Sequence, residues 1–257
     1  MSAAWLLLLI AAFPVLQGIG YGVMTGLLLL AAPQRAGALM RQHGGLIYAG
    51  LLLIPAGLTL RWAAQSAGWE VLGLSALSSR IGSGLLRLLI LVLLGLLSGA
   101  LIFYNELVVS VYLHRRVERL RMPTATSLLE GRTHELRQQR SSRVSFFATS
   151  IVIVLAEELM WRGCLPDLLR SVWGLALPPA VLLSSVLFGI NHAYFGLRNV
   201  AIKALDGALW WLLLYVTGSL LTPILSHLTF QLLVFRRLSR QARRAEGSHD
   251  HRLPAAV

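Results

Sequence analysis

Between residues 157 and 231 the chain places Glu157, Glu158, Arg162, His192, His227 and Gln231 in otherwise apolar sequence. The segments are IVIVLAEELMWRG, LLSSVLFGINHAYFG and LLTPILSHLTFQLLVF. Ionisable groups are costly in hydrocarbon, so inside a membrane segment they are read by default as functional. Carboxylates and imidazoles are the groups of acid–base and of metal chemistry. Glu158 and Arg162, Phe188 and His192, and His227 and Gln231 are each i,i+4 pairs, so each pair shares one helix face. The spacing predicts helices that direct acid, imidazole and amide groups toward one interior site.

Successive helical residues point about 100° apart, so Glu157 and Glu158 are expected to face different ways. Glu158 precedes Arg162 in the favourable order for an ion pair. This assigns Glu158 to Arg162 and Glu157 to the cavity; the alternative is that all three charges form one packing network. Taken singly, His192 and His227 each read as helix–helix hydrogen-bonding residues. Their convergence with the glutamates from separate spans points to a site. Glu157 and His192 lie at similar chain distances on either side of Gly174, so a helical turn there lets them meet if residues 164–173 stay helical through Pro166. Cys164 reads as a small packing residue, and Asp206 with Lys203 as a structural pair.

The elements that must carry these residues are membrane spans. The chain has 257 residues, is 56% hydrophobic and only 13% charged, and its mean hydropathy is +0.69. The fold expected is all-α: a polytopic transmembrane helical bundle of about seven spans, with the catalytic core in the last four. The spans are expected at 4–32, 45–60, 81–104, 144–164, 175–195, 200–218 and 220–235, with an interfacial stretch over 61–80. Three regions follow: N-terminal membrane helices and a basic loop (1–143), core helices (144–236) and a basic disordered tail (237–257). QGIGYGVMTG in the first span offers small faces for close packing. The net charge of +12 is concentrated outside the spans, with eight Arg against three Glu in residues 113–143. That distribution fits positive-inside topology and excludes a nucleic-acid surface, for which no aromatic–basic face exists.

The three motifs together resemble the CPBP intramembrane proteases, which include the type II CAAX prenyl endopeptidases and many bacterial members. EELMWRG is similar to EExxxR, FGINH to FxxxH, and SHLTFQ to HxxxN or HxxxD, with Gln231 where the family has Asn or Asp. The resemblance spans roughly residues 145–235 and implies an integral protein of a bacterial inner (plasma) membrane. It implies an endopeptidase acting on a membrane protein or lipid-anchored peptide. Glu157 and His192 would hold and deprotonate a water, and His227 with Gln231 would stabilise the oxyanion. Glu158–Arg162 would position the helix. No cofactor is expected; zinc held by Glu157, His192 and His227 is the alternative, although the local HExxH pattern is absent. Two other readings are a non-catalytic protein of the same fold (bacteriocin immunity or scaffold) and an ion-coupled transporter.

Seven spans starting outside put both basic segments and the C-terminus in the cytoplasm. Single cysteines introduced as Ser141→Cys and Ser248→Cys, in a Cys164→Ser background, are expected to react with a membrane-impermeant reagent from the same side. Labelling from opposite sides overturns the seven-span topology.

Overall fold

The computed structural model describes residues 2–31, 36–67, 84–119, 143–193 and 197–250, and every regular element among them is a helix. In chain order these are α1 (Ala3–Ala31), α2 (Ala36–Trp62), which runs into a π-helical turn at Ala63–Ala67, α3 (Gly84–Arg119) and α4 (Arg143–Glu158). A second π-helical turn, Leu159–Cys164, leads into α5 (Leu165–Trp173), followed by α6 (Leu177–Ile190), α7 (Leu197–Thr217) and α8 (Leu221–Asp250). The expected all-α class and helix order hold. α2 begins earlier than the expected span, and α3 continues past its apolar part. Most of the interfacial stretch and of the basic loop lies outside the described residues.

One boundary needs correction. α8 runs on to Asp250, where a disordered tail was expected from 237. No Pro or Gly interrupts residues 232–246, and Leu, Arg, Gln, Ala and Glu there are favourable helix formers.

Among the described residues, four helical stretches are long and apolar enough to cross a bilayer: Ala3–Gly20, Gly45–Gln65, Gly84–Val109 and Asn199–Thr217. α6 is apolar but shorter. α3 shows what surrounds the bundle. Its inner face buries Leu91, Ile102 and Phe103, yet Leu85, Leu89, Leu93, Leu97 and Leu101 all point outward and are exposed. In water such a helix would keep a polar outer face; an apolar stripe on both sides belongs in lipid. The chain is a helical integral membrane protein.

Two close helix contacts brace the core. Gly95 and Gly99 form a small-xxx-small pair that brings α3 against α8. A Cβ on Gly99 would collide with the Ser226 carbonyl, and one on Gly95 would lie 2.7 Å from the Leu225 Cβ. Gly189 does the same for α6 and α7, since a Cβ there would strike the Val200 carbonyl. Between α1 and α2, Gly20 faces Leu51. A salt-bridge cluster also ties α3 to α7: Lys203 Nζ lies 2.6 Å from Glu106 Oε2 and 2.9 Å from Asp206 Oδ2. Lys203 and Asp206 are thus the structural pair expected, joined by Glu106 from α3.

Gly99→Val must separate α3 from α8 or distort both. It is expected to lower the unfolding free energy in detergent by roughly 1–3 kcal/mol. Gly57→Ala, whose Cβ would meet nothing within 4 Å, serves as the neutral control. Equal melting curves for the two variants would show that the close approach contributes nothing.

Candidate active site

Pro166 shapes the segment that carries the charged motif. It lacks an N–H and its ring crowds the carbonyl four residues earlier, that of Arg162. The helix widens there into the π-helical turn. The Leu165 N–H reaches back to the Met160 carbonyl, five residues away, instead of to Trp161. The Trp161 carbonyl is thereby released, and the Ser184 hydroxyl of α6 donates to it. The helix recovers as α5 with Pro166 in its first turn, then ends at Gly174, whose φ of 66° is the left-handed conformation glycine accepts without a Cβ penalty. Residues 164–173 are therefore helical and the chain turns at Gly174, the condition needed for α6 to return beside α4.

Glu157, Glu158, Arg162 and His227 are all buried. Arg162 Nη1 lies 3.2 Å from Glu158 Oε1, the pair expected from the spacing. The Arg162 guanidinium lies over the Phe188 ring, with Cζ 3.9 Å from its centroid, and 5.0 Å from that of Trp210. Aromatic faces thus supply part of the electrostatic compensation for a buried cation. Glu158 has a second role that spacing alone did not show. Its Oε1 is 2.8 Å from His227 Nδ1. Glu157 approaches the other nitrogen of the same ring, with Oε2 3.9 Å from Nε2. The two glutamates do diverge as successive helical residues must, and His227 spans the divergence by presenting one nitrogen to each.

His227 is held by its surroundings. Trp210 of α7 stacks on it, with ring centroids 4.1 Å apart and planes at 20°. Trp210 is fixed in turn by donating from Nε1 to Ser226 Oγ at 2.9 Å. Phe188 sits at the centre of the group. Its ring is edge-on to His192 at 4.8 Å, to His227 at 6.4 Å and to Trp210 at 6.0 Å. His192, just past the end of α6, places Nδ1 2.9 Å from the Phe188 carbonyl, which orients its ring.

Two site residues lay outside the sequence reading. Tyr48 of α2 donates its hydroxyl hydrogen to Glu157 Oε1, and Asn191 Nδ2 donates to the Tyr48 oxygen at 2.7 Å. Asn191 could have been found, since it lies within FGINH. Tyr48 carries no local signal, because its contact crosses from a span with no motif.

Of the candidates, Arg162 and His227 meet the two carboxylates; His192 is placed against Phe188, and Gln231 lies elsewhere on α8. It lies one turn beyond His227 and lines a shallow, largely apolar groove between α4 and α8 with Phe147, Ser150, Ile151, Leu228 and Leu232. Cys164 is buried among apolar side chains, as its packing reading requires. Among the described residues, no three His, Cys, Asp or Glu side chains form a metal-binding group.

This is a buried carboxylate–imidazole site in a helical membrane protein. Residues 139–233 match the family model for Type II CAAX prenyl endopeptidase Rce1-like, which supports the resemblance seen in the three motifs. The matched stretch runs from just before α4 into α8 and leaves α1–α3 outside it. Comparison with curated proteins and with solved structures gave no match.

Glu158→Gln removes the charge that serves both Arg162 and His227. Breaking a buried pair from one side leaves an uncompensated cation, so the variant is expected to lose roughly 3–5 kcal/mol of stability. Thermal melts of the purified protein against Glu157→Gln, expected to be the milder of the two, check this. A Glu158→Gln variant as stable as the wild type would remove Glu158 from its bracing role.

Proposed function

We propose that the protein is an intramembrane endopeptidase that hydrolyses a peptide bond in a membrane protein or lipid-anchored peptide. The observation that carries this reading is the placement of Glu157: buried, held at one oxygen by Tyr48, and turned with the other toward His227, within the stretch that matches the endopeptidase family. Glu157 and His192 hold a water, and Glu157 takes its proton as the hydroxide oxygen bonds to the scissile carbonyl carbon. Breakdown of the tetrahedral intermediate breaks the C–N bond, and the proton held by Glu157 passes to the leaving nitrogen.

His227 stabilises the oxyanion. A carboxylate only accepts hydrogen bonds, so the contact with ionised Glu158 commits the Nδ1 hydrogen. Nε2 then donates only when His227 is an imidazolium, so the charged ring is the form that serves an oxyanion. In this scheme Gln231 takes no part in oxyanion binding, and Glu158 orients His227 as well as pairing with Arg162. Each of these roles is met by hydrogen bonding without an ion, so the proposed mechanism is metal-independent. The Lys203–Asp206–Glu106 cluster weighs against the transporter reading, because the buried Asp206 is engaged in an ion-pair cluster that ties α7 to α3. The proposed location is a bacterial inner membrane with the C-terminus in the cytoplasm.

The test is cleavage of membrane-tethered peptides by the purified full chain in liposomes. Glu157→Gln keeps the side-chain shape and removes the base; it is expected to lower turnover by at least about 10²-fold while the protein stays folded. Activity is expected to persist in a strong chelator. Full activity of Glu157→Gln overturns the glutamate mechanism. One tightly held zinc per chain, lost and regained together with activity, reassigns Glu157, His192 and His227 as metal ligands.

A further inference from the structure

α2 reaches the site from outside the matched stretch, and its Tyr48 hydroxyl meets a candidate catalytic carboxylate directly. Tyr48 is half-buried and lies between Asn191 and Glu157. The chemistry of the three groups fixes the direction of the chain of hydrogen bonds. The Asn191 amide nitrogen has only hydrogens to give, so the Tyr48 oxygen accepts there. The single Tyr48 hydroxyl hydrogen is then committed to Glu157 Oε1. A hydroxyl on an exposed rotor could swing away; this one is aimed by a buried amide.

The consequence falls on the carboxylate. Glu157 has two oxygens, and Tyr48 occupies one. The other, Oε2, faces His227 Nε2 at 3.9 Å, too far for a direct hydrogen bond and near enough for both to contact one small group set beside them. Asn191 also directly precedes His192. One turn at the end of α6 therefore sets both the imidazole and, through Tyr48, the carboxylate plane.

We infer that Tyr48 is a positioning residue for Glu157: its hydroxyl, aimed by Asn191, pins Oε1 so that Oε2 alone is presented to the reacting group. This rests on the hydrolytic reading for its kinetic consequence but not for the coupling itself. The role needs only the hydroxyl. The aromatic ring carries the packing, so Tyr48→Phe separates the two.

The experiment uses the full chain in liposomes with membrane-tethered peptides. Tyr48→Phe is expected to lower kcat about 10- to 100-fold, the scale on which a misplaced reacting group is felt, with KM within about twofold. Asn191→Ala is expected to lower kcat as well, and the double variant to be no slower than Tyr48→Phe alone, because Asn191 acts through Tyr48. Thermal melts of wild type, Tyr48→Phe, Glu157→Gln and the double variant form a second cycle that needs no catalysis, and a non-additive result is expected. Wild-type kcat in Tyr48→Phe, or a change confined to KM, overturns the positioning role. Additive melts overturn the coupling, even if no peptide is ever cleaved. Non-additive melts without cleavage by any variant retain the coupling and reject the hydrolytic reading instead.

Discussion

Two carboxylates cannot be left bare inside a membrane protein, and the site is organised around meeting that demand with few groups. His227 is central because an imidazole has two nitrogens on opposite edges of one ring. Nδ1 faces Glu158 and Nε2 faces Glu157. Glu158 is shared further with Arg162, and Arg162 lies against Phe188. A charge that would be prohibitive alone becomes one member of a connected set, in which removal of any member exposes the rest. The aromatic side chains do more than fill space: Trp210 holds the plane of His227, while Phe188 supports the guanidinium and both histidines.

The scaffold follows from the same demand. His227 must stay within reach of two side chains on another helix, so α8 needs a fixed backing. Gly95 and Gly99 supply it by letting α3 approach the α8 backbone. α4 needs its two glutamates and Arg162 on nearby faces, and the π-helical turn forced near Pro166 resets the rotation of the chain between them. The carbonyl that this turn releases is taken up by Ser184, which locks α6 against the same segment. The local irregularity is thus part of how α6, and with it Phe188 and His192, is placed.

Much of the arrangement was legible in the sequence. Hydropathy located the helices, because lipid-facing and core-facing positions are both apolar and the spans stand out against the basic segments. The i,i+4 spacing found the Glu158–Arg162 pair, and Gly174 was legible as the turn between α5 and α6. What remained hidden depends on relations between helices. Nothing in the residues around Tyr48 announces that its hydroxyl meets a glutamate 109 positions away. Spacing suggested that Gln231 would follow His227 inward, but it lines a groove between α4 and α8 instead. The Arg-rich end of α8 was read by charge as a tail, although its residue types favour helix.

The way α2 and α3 support the site has a consequence for how such a protein can diverge. Their position-specific demands are few: the Tyr48 hydroxyl, the Glu106 carboxylate, and the absent side chains of Gly95 and Gly99. Around these points, lipid-facing positions accept Leu, Ile, Val or Phe almost interchangeably, because the bilayer asks only for apolar surface. The N-terminal helices can therefore drift in sequence while the geometry they impose stays put. Residue-by-residue resemblance should then fade where chemistry gives way to support, and the family match begins at residue 139, just ahead of α4.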